Sequence, residues 1–282
     1  MDNKIKDNFN DKDKIKVIGA VGYTILDNNN IKLMIIADMH DVTEKCGDIF
    51  ISDWIKKQKN FKLLLEEVPK TDTKLKELWS SAPHTTKLRQ LYLDNYDKIV
   101  GLDIRGELLK FSWELLDEMK FPLTTLNEYL EYLQLFFSIK HPFFLKDIPK
   151  IYNESILLSK ESEKIRKHFE YCKNKFDMFV STNKKILEVN IQDIYKSNKK
   201  VLEEVNLLLN DVMEFYTCMQ LYNQSLLNNN KFIIHKGLFH TSNLVAWLSD
   251  LYNFKIISNN GLTEFDKIDE KHDGCFYLPQ TY

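Results

Sequence analysis

Phe232-Ile-Ile-His-Lys-Gly-Leu-Phe-His240-Thr-Ser-Asn-Leu-Val-Ala-Trp-Leu248 reads as a buried strand, a glycine-bearing turn and an amphipathic helix capped by Thr241 or Ser242. A short apolar run ending in turn residues is how a parallel strand delivers side chains to its carboxyl end, and open α/β sheets hold their ligands there. His235, Gly237 and His240 fall at that edge. An earlier stretch, Lys32-Leu-Met-Ile-Ile-Ala-Asp-Met-His40-Asp41, repeats the grammar: a strand, a small residue, two spacers and a histidine. Two histidines at two strand ends point to one site.

Outward from these two stretches, the pattern predicts an α/β fold. Lys16 to Leu26 is rich in β-branched and aromatic residues, and the turn cluster Asp27 to Asn30 joins it to the strand Ile31–Ala37 as a hairpin. Asp48 to Lys59 has helical spacing, Phe61–Leu65 is a short apolar strand ending in Glu66-Glu67, and Lys98–Leu102 is a third, ending in Asp103-Ile-Arg105. Short helices are expected over Lys74–Trp79 and Leu88–Tyr96, and strands alternating with helices give a mainly parallel central sheet with flanking helices. From 107 to 229 the periodicity is helical, as in Glu107–Met119, Leu157–Val180 and Val201–Leu227, so a large helical insertion separates the third core strand from the second histidine motif. Lys231–His235 and Lys255–Ser258 then resume the sheet, and the tail after Lys271 adds an edge strand or a clamp. Residues 1–14 read as a disordered charged tail, and 15–282 as a single domain.

With 282 residues, 44% hydrophobic and 28% charged, the chain can bury a full core. Its 39 basic and 41 acidic residues leave a net charge of -2, and no overall field would hold it on nucleic acid or an acidic membrane. Only Arg89, Arg105 and Arg166 among the basic residues are arginine, and asparagine runs recur, a bias expected of an AT-rich genome such as that of a giant virus, a protist or a low-GC bacterium. Cys46, Cys172, Cys218 and Cys275 make no C-x-x-C pair, which speaks against a zinc knuckle or a dense disulfide framework and for a reducing compartment. No leader-like segment opens the chain and no run of roughly 18 apolar residues occurs, so the expectation is a soluble, cytoplasmic or intracellular protein, or a virion component if viral.

Imidazoles and carboxylates arriving from different strand ends are the usual ligands of a catalytic divalent metal. His40, Glu66, Glu67 and His240 form such a ligand set, with His235 beside it as a further catalytic candidate. Each histidine alone reads more readily as a solvated or hydrogen-bonded residue than as a ligand; joint placement at strand ends favours the site. Glu66 and Glu67 point to opposite sides of a strand, one to bind and one to orient. Arg105 either holds a substrate carboxylate, phosphate or oxyanion with its planar fork, or pairs with Asp103 or Glu107. His84, His141, His168 and His272 have no partner pattern and default to surface or capping roles, and Asp211 to a solvated helix face. There is no G-x-S-x-G, no P-loop, no G-x-G-x-x-G and no H-E-x-x-H.

The order Ala37-Asp-Met-His40, Glu66-Glu67, Arg105 and Gly237-Leu-Phe-His240 resembles the superfamily of TIKI and TraB proteins, ChaN-like haem-binding proteins and erythromycin esterase-like enzymes. The resemblance runs from Ile31 to Ser258, with Ala37 standing where the family has glycine, a departure that bears on any role needing a positive φ or a bare backbone. It implies a metal-dependent hydrolase of peptide or ester bonds with Mn, Co or Zn as cofactor. His40, one glutamate of the pair and His240 would shape the metal site, and Arg105 would stabilise the oxyanion. The alternatives are a haem or small-ligand binder of the ChaN-like type and a catalytically degenerate structural member, in a viral particle if viral. The partner is a small molecule or peptide, without nucleic acid or membrane.

Overall fold

The computed structural model describes residues 13–40, 46–69, 82–110, 124–140, 160–268 and 274–282. The chain divides into two compact units, Met1–Asp103 with Gln220–Tyr282, and Ile104–Met219. Of the expected tail over 1–14, residues 1–12 lie outside the described residues, as do the expected helix 74–79, the loop directly after His40, His141 and His272, whereas Lys14 already opens a strand.

In the first unit the strands are β1 (Lys14–Ile18), β2 (Gly22–Asp27), β3 (Lys32–Asp38), β4 (Ile49–Phe50), β5 (Lys62–Leu65), β6 (Val100–Gly101), β7 (Lys231–Gly237), β8 (Lys255–Gly261) and β9 (Cys275–Pro279). Six of them form one sheet in the order β6-β5-β7-β3-β2-β8. The pairs β6–β5, β5–β7 and β7–β3 are parallel, whereas β2 runs antiparallel to both β3 and β8. Only β2 is therefore reversed, and all five core strands expected from the sequence share this sheet. The fold is α/β with a mixed, mostly parallel sheet. The runs in β3 and β7 are apolar without alternation because these central strands are covered on both faces: Leu33 to Ala37 and Phe232 to Ile234 are all fully buried.

The hairpin between β2 and β3 closes on its own polar residues. The Asn29 amide donates to Asp27 Oδ1 at 2.6 Å, the Ile31 amide donates to Asn28 Oδ1 at 2.8 Å, and Asn29 takes φ +71°. Asparagine tolerates that left-handed backbone, which explains the cluster. Two sequence expectations need correction here. The run Lys16–Leu26 is not one strand: at Gly19, with φ +92°, it breaks into β1 and β2, which lie in different sheets. The second sheet has the order β4-β1-β9, and the tail supplies β9, antiparallel to β1. The cysteines also do more than expected, since Cys46 and Cys275 form a disulfide across 229 residues, with Cα atoms 6.0 Å apart, beside this small sheet.

Period-two alternation sorts the sheet into two faces. Met34 and Ile36 of β3, Ile233 of β7, and Leu63 and Leu65 of β5 pack with Trp54 of α1 (Ile51–Lys57) and with Leu88, Leu91 and Tyr92 of α2 (Pro83–Asp94). One step further along the same face, the register places Asp38 and His235.

The second unit has helical elements: α3 (Arg105–Leu108), α4 (Leu126–Tyr129), α5 (Glu131–Phe137), α6 (Lys160–Thr182), α7 (Ile191–Ser197) and the part of α8 (Lys199–Leu226) that precedes Gln220. A single Thr125–Asn190 bridge is its β feature among the described residues. Thr125 and Glu128 form a reciprocal capping box at α4. Phe136, Phe137, Phe169 and Phe215 pack edge-on or tilted, and His168 meets Phe215 edge-on at 5.6 Å. His168 is fully buried, not a surface residue, and Asp211 is ion-paired with Lys175 at 2.6 Å. The final helix, α9 (Leu238–Asp250), follows β7 in the first unit. Gly237 is its N-cap, one turn earlier than the Thr241 or Ser242 start read from the sequence. Among the described residues no helix is long and apolar enough to cross a membrane.

Candidate active site at the strand ends

Three parallel neighbours deliver the candidate residues at their carboxyl ends. β3 ends at Asp38 and places His40 two residues beyond, β5 ends at Leu65 and places Glu66 next, and β7 ends at Gly237 with His240 in the first turn of α9. The β3–β7 register sets Asp38 opposite Gly237, and Glu66 is tied to β7 by its own amide, which donates to the His235 carbonyl at 3.1 Å.

His40 is held from both sides. Its Nδ1 donates to Asp38 Oδ2 at 3.0 Å, and its Nε2 faces Glu66 Oε2 at 3.4 Å. Glu66 Oε2 also accepts the Gly237 amide at 2.6 Å, and Glu66 Oε1 lies 3.6 Å from His240 Nε2. Asp38, Glu66 and His240 are buried, whereas the His40 side chain keeps 36% of its surface. Gly237 makes the close approach possible: a Cβ there would lie 2.8 Å from His40 Nε2. At the other motif, Ala37 sits in ordinary extended strand, paired with Gly22 and outside the positive-φ residues, so alanine carries no backbone penalty.

The electrostatics follow from this packing. Burial pushes the Asp38 carboxyl up, but hydrogen bonds to His40 and His84, reinforced by the charge of His40, outweigh it and hold the group well below the usual carboxylate range. Burial would depress His40, yet its bonds to Asp38 and Glu66, reinforced by both charges, hold the imidazole well above its usual range. At neutral pH His40 is therefore an imidazolium between two carboxylates. His235 is the opposite case: burial, only partly opposed by Asp38 4.0 Å away, lowers it, and its Nε2 donates to the Gly19 carbonyl at 2.8 Å. His235 is 2% exposed, so it supports the site from inside and does not reach solvent.

Glu67, in the bend just past the end of β5, meets Arg89 Nε at 3.6 Å. Burial raises its carboxyl to about 7, with Arg89 pulling it down and Asp103 pushing it up. Arg89 of α2 is thus the arginine beside the glutamate pair in this unit, and the sequence reading did not select it. Arg105 begins α3 in the second unit, where its Nη1 donates to Asn210 Oδ1 at 3.3 Å. Asp38 and His84 were also missed. His84 is fully buried and donates from Nε2 to Asp38 Oδ2 at 3.0 Å, the reverse of the surface role expected. The available signal was Asp38 itself, two residues ahead of His40 on the strand that delivers it.

The donors suit a divalent ion in kind, being two imidazoles and a carboxylate with Asp38 behind one of them. Their arrangement does not form a ready cage. His40 and His240 are each paired with Glu66 separately, and among the described residues no group of three or more His, Cys, Asp or Glu side chains is set to hold a metal. Without an ion, the cluster can hold, donate and accept protons at one open edge. No family model, no curated protein and no solved structure matches the chain.

Proposed function

We propose that the chain is a hydrolase of ester or peptide bonds, with His40 as general acid, Glu66 as general base and Asp38 and His240 holding the pair. The observation that carries this reading is the side chain of His40, open at one edge, clamped at Nδ1 by buried Asp38 and facing buried Glu66 with Nε2. Substrate binding at the open edge places the scissile group against Nε2. Glu66 takes a proton from the attacking water, while the imidazolium gives its Nε2 proton to the leaving group. The proton gained by Glu66 returns to His40 Nε2 across the 3.4 Å gap, which restores the resting state. His240, beside Glu66 Oε1, stabilises that carboxylate between turnovers. The resemblance to TIKI, TraB and erythromycin esterase-like proteins supports the same reaction class.

A metal-assisted form is the second reading, favoured by the pairwise spacings of 3.4 and 3.6 Å, which are long for hydrogen bonds. His40, Glu66 and His240 would be the residues to hold the ion. The test is a panel of chromogenic aryl esters and fluorogenic peptides with purified protein, run with chelator and again with Mn²⁺, Co²⁺ or Zn²⁺. Turnover in chelator that falls about 100-fold or more in His40→Ala and Glu66→Gln is the expected result. Turnover only with added metal, with calorimetric binding lost in His40→Ala and His240→Ala, transfers the chemistry to the metal-assisted form. No turnover under any condition defeats the hydrolase, and a Soret band in the purified protein would put the ChaN-like haem binder in its place.

A further inference from the structure

Behind the open edge lies a second, closed layer of the cluster, which the reaction above does not use directly. Asp38 is fully buried and receives two imidazole donors on one oxygen: His40 Nδ1 and His84 Nε2 both lie 3.0 Å from Oδ2. Its other oxygen, Oδ1, has no hydrogen-bond partner among the described residues, and neither does His84 Nδ1. A carboxylate that accepts from one imidazole can still turn about its side-chain bond. Two donors converging on the same oxygen from different elements, one past the end of β3 and one in the first turn of α2, fix which oxygen faces His40.

His84 is itself seated by Gly19. A Cβ at that position would come within 2.9 Å of both Cβ and Cδ2 of His84, and the φ of +92° there suits glycine. The Gly19 carbonyl takes the Nε2 proton of His235, leaving His84 and His40 as the donors on Asp38. Ionised Asp38 can only accept, so His84 carries a proton on Nε2, and the neutral tautomer that does so has Nδ1 bare. An orphaned buried lone pair at Nδ1 is consistent with that tautomer, whereas a second proton there would have no acceptor among the described residues.

We propose that His84 is a positioning residue of the site: through Asp38 it fixes the tautomer and orientation of His40. The catalytic part of this inference rests on the hydrolase reading, and the structural part does not. It distinguishes His84 from a residue that merely satisfies a buried acid, because its loss is felt at the His40 ring, with which it shares the Asp38 acceptor.

The experiment is imidazole ¹⁵N spectroscopy at neutral pH on the full chain. In the wild type, His84 is expected as the Nε2–H tautomer with bare Nδ1, and His40 with a slowly exchanging Nδ1 proton. In His84→Leu that proton exchanges about ten-fold faster or more, the effect of loosening one charge-assisted hydrogen bond, and kcat on any ester or peptide turned over falls by a similar factor with KM unchanged. His84→Gln, whose amide nitrogen reaches close to the Nε2 position, restores the slow exchange. A folded His84→Leu protein with a wild-type His40 spectrum overturns the inference, as does a Gln variant no better than Leu. Should His84→Leu not fold, a wild-type His84 found protonated on Nδ1 overturns it equally. Slow His40 exchange that depends on His84, in a protein without turnover, sinks the hydrolase reading and leaves the positioning role standing.

Discussion

Gly237→Ala is the sharpest probe of the strand-end site, because the strain it introduces lands on one functional atom. Gly237 has φ −55° and ψ 148°, which alanine adopts freely, and as an N-cap the exchange costs roughly 0.5–1 kcal/mol. The added Cβ would stand 2.8 Å from His40 Nε2, 3.2 Å from Cδ2 and 3.5 Å from Glu66 Oε2. Ordinary contact needs roughly 0.6 Å more than the first of these. Moving β7 is resisted by seven residue pairs with β3, whereas His40 is partly exposed and can swing outward. The swing gives up a charge-assisted bond to Asp38 worth roughly 1.5–3 kcal/mol, of which hydration of the freed imidazolium returns a large part. A net loss of about 1 kcal/mol, or about 3 °C in Tm, is expected. A catalytic group displaced by the better part of an ångström should lose about 100-fold in kcat/KM. The assay pairs thermal unfolding with turnover of aryl esters or peptides. Full turnover would refute the placement of His40, and a Tm loss beyond about 10 °C would show that the fold, not the histidine, absorbs the clash.

At Gly19 the same exchange should behave differently: Gly19→Ala forces an L side chain into φ +92° and against His84 and Ile51, so a loss of about 3 kcal/mol is expected in urea unfolding, and a neutral result would contradict the packing described. Glu67, raised by burial to about 7, holds its proton more tightly folded than unfolded. Between about pH 4.5 and 7 the native state therefore binds more protons, stability falls by roughly 3 kcal/mol as pH rises through that window, and Glu67→Gln should flatten the slope measured at pH 5 and pH 8. In the second unit, burial lowers His168 to about 3, so the unfolded chain binds more protons between about pH 6.5 and 3. Stability drops by roughly 5 kcal/mol as pH falls across that range, and His168→Leu should remove the acid limb in a denaturant series; an unchanged limb would contradict the assignment.

The parts of this fold that could be read from the sequence are those where burial writes a local pattern. β3, β5 and β7 are covered on both faces and appear as unbroken apolar runs, and the long helices of the second unit appear as 3.6-residue periods. The placement of His40, Glu66 and His240 followed because a strand that ends in polar residues announces its own end. What could not be read depends on which element covers which face. Alternation puts Asp38 on the side of Ile36, but nothing in the chain says that α2 packs there, and so His84, 46 residues away, passed for a surface histidine. Cys46 and Cys275 meet only because β1 leaves the main sheet at Gly19 to pair with β4 and β9, a switch decided by one residue of backbone.

The two histidines carried by the central strands show how fine the deciding step is. His235 and His40 have the same side chain, are delivered by the adjacent parallel strands β7 and β3, and lie within reach of the same carboxylate. His235 is two residues inside the end of β7, with its neighbours still bound in the ladder. Its ring is enclosed, its Nε2 proton is spent on a backbone carbonyl, and burial keeps it neutral. His40 is two residues past the end of β3, and its side chain keeps 36% of its surface exposed. There Asp38 and Glu66 hold it as the imidazolium. Four positions relative to the last strand residue separate a support from a proton donor, and residue type alone cannot supply that distinction. The register of β3 against β7, which pairs His235 with Ile36 inside the ladder and stops at Asp38, separates the two rings.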